Sequence, residues 1–520
     1  MKLLFSSLLT LAAAGVPHAV AQVTTSQYDN LRTGATLGEK TLTPQNVNAQ
    51  QFGKLGAFKV DGAVFAQPLF VPAVEIPGKG KHNVLYVATE HDSVYAFDAD
   101  RPGDPPLWQV NFLDKAQAIT TVSQEDVGCP FIEPEIGITS TPVIDLKTGT
   151  LYVLARTKND PTLKHTEYFH HLHALAITTG VEKFGGPKLI TASAPGKGAG
   201  SMNGMVSFNA LKENPRAALV LTNDAVYLTW GSSCDAGPYH GWVMAYDAQT
   251  LAQRAVWNDT PDGEQGGIWA GDTGPGVDAD GKVFLATGNG TFDAGAGGKD
   301  YGDTLVKLEP SLKIADYFTP FDEQKLDNDD ADLGSSGPLL LPDQPGPHRH
   351  LLLQLGKGET IYLIDRDHMG KFQRDSDAVV QKIRLGKEGF GAMAYVNGHV
   401  FVVASDDSLR DYAIVNGQLA LKAVSNTTYE NPGATPTISA NGEKDAIVWT
   451  VASKTWNGRD RAAVLYAFDA GKIAQPIYTS EQNSRRDRAG MATRFTIPVV
   501  VNGRVYFGAR GEVDVYGLLK

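Results

Sequence analysis

The feature that most restricts this chain is a repeat. The stretch VYAFDAD at residues 94–100 returns as LYAFDAG at residues 465–471, and looser copies open at Val243, Leu305 and Ile361. Around the first copy lie VFAQPLFV, NVLYVAT, SVYAFD and LWQVNF, aliphatic and aromatic runs parted by the turn-forming GKGKH, EHD and DRPGDPP. Four such runs joined by turns read as one antiparallel propeller blade. Six further units follow, opening at ITSTPVID, ALVLTN, GPGVDAD, SSGPLLLP, GAMAYV and ATPTIS. A last unit, FTIPVVV, RVYFGAR and VDVYGLL, ends one strand short. The unassigned FGKLGAFKV at residues 52–60 supplies that strand, closing the ring and pairing an edge that would otherwise invite aggregation. The sequence therefore predicts an all-β, eight-bladed propeller forming one domain over residues 22–520. A seven-bladed ring requires demoting the sixth unit, whose hairpins are the least aromatic. In this plan the repeated phrase is the third strand of a blade, and Trp108, on the strand after its first copy, packs against the neighbouring blade.

Composition suits many short strands and turns: 55 glycines and 28 prolines are scattered rather than clustered. Residues 1–21 carry one early charge, Lys2, a short apolar run, and small Ala19 and Ala21 flanking Val20. That is the layout of a secretory signal cut near Gln22, so the mature protein is expected to be secreted or periplasmic. The run is too short to span a bilayer comfortably and no later stretch approaches the required length, so no membrane anchor is expected. A net charge of −12 without a basic run argues against nucleic acid as a partner. The two cysteines, Cys129 and Cys234, are expected to be bridged in an exported chain, separate buried thiols being the alternative. Sequons beginning at Asn258, Asn289 and Asn426 are about as frequent as chance allows and carry no argument.

The stretch from Ala96 to Trp108 resembles the tryptophan-docking phrase AxDxxxGxxxW of the quinoprotein alcohol dehydrogenases, and the likeness runs roughly from Val64 to Leu519. It implies an eight-bladed ring holding pyrroloquinoline quinone and a calcium ion on its axis. Three more segments resemble that family, in the same order. GGIW puts Trp269 where the family has an indole beneath the quinone. ATGNG puts Asn289 where it has a calcium-binding Asn, and KGETIYLIDR puts Lys357 where a Lys or Arg bonds the quinone oxygens. The implied chemistry is coherent, since cations stabilise the charge that develops on a reduced quinone and calcium takes oxygen ligands.

The chain also departs from the family. In GSSCDAGPYHGW the acidic calcium ligand aligns with Ala236, with Asp235 one residue earlier, and the following Arg is replaced by His240. His240 is either a quinone contact or proton carrier, or a half-buried histidine bonded to a backbone carbonyl. The catalytic Asp falls within TPFDEQKLDNDDADLGSSG, where Asp330 and Asp332 stand nearest. Asp332 is preferred because LGSSGP leads directly into an inner strand; a solvated acidic loop is the alternative. The family's vicinal cysteines are missing, leaving a longer Cys129–Cys234 bridge across the same face. The candidate bases are thus Asp332 and Asp330, the cofactor contacts Trp269, Lys357 and His240, and the metal ligands Asn289, Asp235 and Asp332. His170, His171 and His173 alternate across a strand without a third ligand and are read as structural. Two functions follow: an exported dehydrogenase oxidising an alcohol or sugar hydroxyl and passing electrons to a separate acceptor, or a non-catalytic propeller that binds a partner or ligand. A metal-centred hydrolase built on Asp235 and Asp332 ranks third.

Overall fold

The computed structural model describes residues 21–159, 166–453 and 461–520; the expected secretory signal, residues 1–21, lies outside them but for its last residue. Eight sheets form the expected ring. In blade 1 the strands Leu69–Ile76, Gly80–Ala88, Ser93–Asp98 and Trp108–Asn111 pair in sequence order. The inner strands of blades 2 to 8 are Val143–Asp145, Val220–Thr222, Gly276–Val277, Leu339–Leu340, Ala394–Val396, Thr437–Asn441 and Val499–Val501. Blade 8 is completed by Phe52–Ala63, which pairs with Arg504–Leu518 from Phe52 opposite Leu518 to Ala63 opposite Arg510. The long strand doubles back at Gly511, whose φ is +73°, so closely that a side chain on Gly517 would start 3.1 Å from the Gly503 carbonyl.

Trp108 docks as the repeat demands. Its Nε1 donates to the carbonyl of Ile177 at 3.0 Å, and its indole fills the place of a side chain on Gly180. The stretch EKFGGP, which the four-strand repeat predicts as the outer strand of blade 2, is instead a turn, because Phe184 and Gly185 both take left-handed backbone. The outer strand is the short Lys188–Leu189. The connection from blade 1 to blade 2 carries structure the repeat does not announce: Ile119–Ser123, a helical turn at Gln124–Val127, and Glu135–Ile136. Ile119–Ser123 extends the blade 2 sheet by pairing with Thr150–Asn159.

Residues 23–36, upstream of the closing strand, form a coil along the axis bonded to every blade, irregular but for the short strand Ala35–Thr36 that pairs in parallel with Thr437–Asn441 of blade 7. Val23 pairs with Phe70 of blade 1, and the Ile144 amide of blade 2 donates to Thr24 O at 2.8 Å. Asn30 Nδ2 donates to Leu221 O of blade 3 at 3.2 Å. The amides of Val277, Leu340, Tyr395 and Ile438, in blades 4 to 7, donate to the carbonyls of Asn30, Leu31, Thr33 and Gly34 at 2.6–2.9 Å. Val500 of blade 8 donates to Tyr28 Oη at 2.7 Å. Fully buried Arg32 pins the coil, donating to Pro275 O, Thr25 Oγ1 and Ser26 O at 2.9, 2.9 and 2.7 Å. At its tip Gln27 accepts from Thr273 Oγ1 at 2.6 Å and donates its amide hydrogen to Gln67 Oε1 at 2.9 Å, reaching opposite sides of the ring. The coil therefore closes one end of the axial hollow.

Antiparallel order decides which turns share the other end. Connections between strands two and three of a blade, and between one blade and the next, fall on a single face. Among the described residues no helix is long and apolar enough to cross a membrane.

Candidate functional site

A cavity of about 500 Å³ opens on that face. It is axial: Phe131, Arg216, Trp269, Asp332, Phe390, Asn431 and Phe495 line it from seven successive blade-to-blade connections. Asp235, Asp330, Lys357 and both cysteines line it as well.

Trp269 sits just ahead of blade 4, and glycines give it its seat. Side chains on Gly231 or Gly267 would start 3.3 and 3.2 Å from its ring atoms, so one side of the indole rests on bare backbone. Tyr239 meets it edge-on at 6.2 Å. Gly271 has φ +50°, and a side chain there would collide with Phe390 O at 1.8 Å. Gly288, of ATGNG, leaves open a position 2.5 Å from Trp269 Nε1 and 2.2 Å from Asp332 Oδ1, so that glycine is what lets the two side chains approach. The indole N–H is buried without a hydrogen-bond partner among the described residues.

Asp332 is 4% exposed. Its Oδ1 accepts from the Asn289 amide at 2.9 Å, and its Oδ2 meets Lys357 Nζ at 2.6 Å. Burial raises its pKa above the ordinary carboxylate value, and the ammonium beside it works in the opposite direction. For Lys357 burial disfavours the charge, but Asp332 and Asp330 outweigh burial and raise its pKa, so it stays protonated. Asp330 accepts from Lys357 Nζ and from Asn289 Nδ2, both at 2.9 Å, but lies exposed at the rim with a left-handed backbone. Asp235 accepts from Tyr239 Oη at 2.6 Å; it and Cys234 have φ of 53° and 51°, two consecutive left-handed residues that the Cys129–Cys234 disulfide holds in place.

Six of the expected site residues thus meet: Trp269, Asn289, Asp330, Asp332 and Lys357 form one cluster, and Asp235 lines the same cavity. Asn289 stands behind the two carboxylates rather than on the cavity wall, and its Oδ1 is buried without a partner among the described residues. His240 is not brought to the cavity. Its Nδ1 pairs with Thr260 Oγ1 and its Nε2 with Ala199 O, both at 2.9 Å, which uses up the ring, and burial lowers its pKa. His170 likewise bonds Ala210 O and the Trp230 indole, and His173 pairs with Glu182, as structural histidines do. Among the described residues no three His, Cys, Asp or Glu side chains are grouped to hold a metal.

Sequence reasoning missed Arg216 and Arg494, whose guanidinium groups lie over Phe495 at 4.3 Å and Phe131 at 4.0 Å. Their signal was positional: each falls a few residues ahead of an inner strand, as Trp269 and Asp332 do.

No family model and no curated protein matches the sequence. Solved structures do match. The quinohemoprotein alcohol dehydrogenase of Comamonas testosteroni aligns over 95% of this chain and 80% of its own, with a TM-score of 0.61 and 13% identity. The quinohemoprotein alcohol dehydrogenase ADHIIG of Pseudomonas putida HK5 gives 96%, 80%, 0.58 and 14%. This chain has their fold. A europium-containing methanol dehydrogenase aligns over 96% of this chain and 98% of its own, with a TM-score of 0.56 and 13% identity. At such identities the likeness to quinoprotein dehydrogenases extends to architecture, and the site stands on its own residues.

Proposed function

We propose that the protein is an exported quinoprotein-type dehydrogenase that oxidises an alcohol hydroxyl and hands the electrons to a separate acceptor. The observation that carries this is the meeting, in one axial cavity, of an indole seated on glycine backbone and a buried Asp332–Lys357 pair. The donor set suits pyrroloquinoline quinone: Trp269 offers a flat surface, Arg216 and Arg494 offer guanidinium groups for carboxylates, and Lys357 offers an ammonium for a quinone oxygen. It suits a hard cation through the buried, unpartnered Oδ1 of Asn289 with the carboxylates of Asp332 and Asp235. Bound there, the quinone would supply a two-electron acceptor for the hydride of the carbinol carbon, and the cation would supply an electrophile.

The chain's own residues do the proton work. Asp332 takes the hydroxyl proton as general base; its raised pKa brings it closer to the working range of a base, and the Asn289 amide fixes its orientation. Lys357 keeps it ionised before the substrate arrives. Asp330, in contact with water, relays the proton outward from the same ammonium. The axial coil closes the far end, so substrate and water enter from one side.

The test is titration of the purified protein with pyrroloquinoline quinone and calcium, followed by Trp269 fluorescence quenching and dye reduction with a panel of alcohols. Binding lost in Trp269→Ala supports the reading. Absence of binding at micromolar quinone leaves a non-catalytic ligand-binding propeller.

A further inference from the structure

Away from the axial cavity, several seams between blades are sealed by one device. Tyr86, Tyr152 and Tyr227, on the second strands of blades 1, 2 and 3, stand opposite Ala96, Ala174 and Ala245 of the third strands. Each hydroxyl donates to the carbonyl just past the third strand of the next blade, at Ile177, Ala248 and Pro310. Tyr506 of blade 8 reaches Ala99 O in the same way. Between blades 1 and 2 an indole is added: Trp108 also pairs with Ala96, shares the Ile177 carbonyl, and Ala96 beneath it is fully buried. Between blades 6 and 7 both devices are missing. Opposite Ala413 stand His399 in the tyrosine's place and Ala420 in the tryptophan's. Asp411 holds the His399 ring back through Nδ1 at 2.8 Å, and Ala413 is half-buried and Ala420 exposed. The carbonyl that matches Ile177 is that of Ala470, since their amides donate to Gly149 O and Ala446 O at the same place in the blade; Ala470 O accepts no hydrogen bond among the described residues.

A cleft of about 480 Å³ opens at this seam. Asn397, Glu443 and residues 470–474 line it from turns between strands one and two or three and four, so it lies on the face opposite the axial cavity. Phe401 and Ile473 are buried in its wall, with small Ala423, Ala446 and Gly471 beside them, and the His399 ring stacks on Phe401 at 6.3 Å. Charges of both signs stand exposed at its mouth: the ammonium groups of Lys422 and Lys472 and the carboxylate of Glu443. We propose that this seam binds a free aromatic amino acid whose ring carries a donor, tryptophan or tyrosine. The ring takes the place that the chain's own indole takes between blades 1 and 2 and donates to Ala470 O. The α-carboxylate meets Lys422 and Lys472, and the α-ammonium meets Glu443. A ring with no N–H or O–H would bury that carbonyl unpaired, and a ligand without the two charges would leave the mouth unmatched. The site is independent of the axial chemistry.

Calorimetric titration of the full chain with L-tryptophan, checked by saturation-transfer NMR, tests this. L-tryptophan is expected to bind saturably, and 1-methyltryptophan, which lacks the ring N–H, about 10-fold more weakly. N-acetyltryptophanamide, which keeps the ring but carries neither charge and stands for a residue within a peptide, is expected to lose about 10-fold as well. Ala420→Trp returns an indole to the seam and abolishes binding. Lys422→Glu with Lys472→Glu reverses the mouth and weakens L-tryptophan by about 10-fold; both positions are exposed, so the fold is kept should Ala420→Trp disturb it. Trp269→Ala, in the axial cavity, leaves binding unchanged. No saturable binding at millimolar L-tryptophan overturns the proposal, as does binding that survives both the Ala420 and the lysine variants. N-acetyltryptophanamide bound as tightly as L-tryptophan overturns the assignment to a free amino acid.

Discussion

Replacing Arg32 with Met tests whether the axial coil is stitched to the ring as its hydrogen bonds indicate. Met keeps most of the volume, so the loss is one of bonding. Three charge-assisted bonds at 2.7–2.9 Å contribute about 1.5–3 kcal/mol each. Burial, which lowers the guanidinium pKa to about 10, takes back about 3 kcal/mol. The balance is a loss of about 3 kcal/mol, concentrated in the coil. Spread over a chain of this size, with an unfolding entropy of about 1 kcal/mol/K, it lowers Tm by only about 3 °C. Amide exchange is the sharper assay. The Val277, Leu340, Tyr395 and Ile438 amides end on coil carbonyls, so local opening raises their exchange by about 100-fold. The Leu352 amide, inside a blade 5 ladder, stays slow. Unchanged exchange at the four inner-strand amides, with an unmoved Tm, would refute the account of Arg32 as the pin of the coil.

Removing the Cys129–Cys234 bridge by double substitution to Ser opens a 105-residue loop and costs about 4 kcal/mol, read as a urea midpoint shift. Phe52→Ala removes a buried ring packed on Trp449, Tyr478 and Tyr516, costs about 3–5 kcal/mol, and exposes blade 8 to early proteolysis in a limited trypsin digest. Lys357→Met takes away the ammonium beside buried Asp332, so its pKa climbs further and the pH profile of dye reduction moves to higher pH. Asp259 is raised to about 8 by burial, against the opposing bonds from Gly241 and Thr260. Its folded form therefore holds a proton that the unfolded chain releases near pH 4, and its contribution to stability falls as pH rises from about 4 to about 8. Asp259→Asn flattens the urea midpoint between pH 5 and 8, and an unchanged slope would mean that this carboxyl is ionised in the fold.

Blade number, ring closure and the face that carries the site were all legible in the order of residues. Alternating apolar runs and turns are local, and once each blade is an antiparallel meander, the position of Trp269, Asp332 and Lys357 in particular turns puts them on one face. Asp332 was preferred to Asp330 for its approach to an inner strand; the fold buries Asp332 and exposes Asp330. Closure of the ring decided the rest. Residues 23–36 have no period to read, because their backbone groups pair with strands up to several hundred residues away, and such partners exist only after eight blades surround the axis. Arg216, Arg494 and Phe131 came to line one cavity with Trp269 in the same way. His240, one residue from Tyr239 that packs edge-on against Trp269, was turned aside by Thr260 and Ala199. Local pattern decides what a segment becomes; which side chains share the hollow is decided by the closed circle that brings distant turns together.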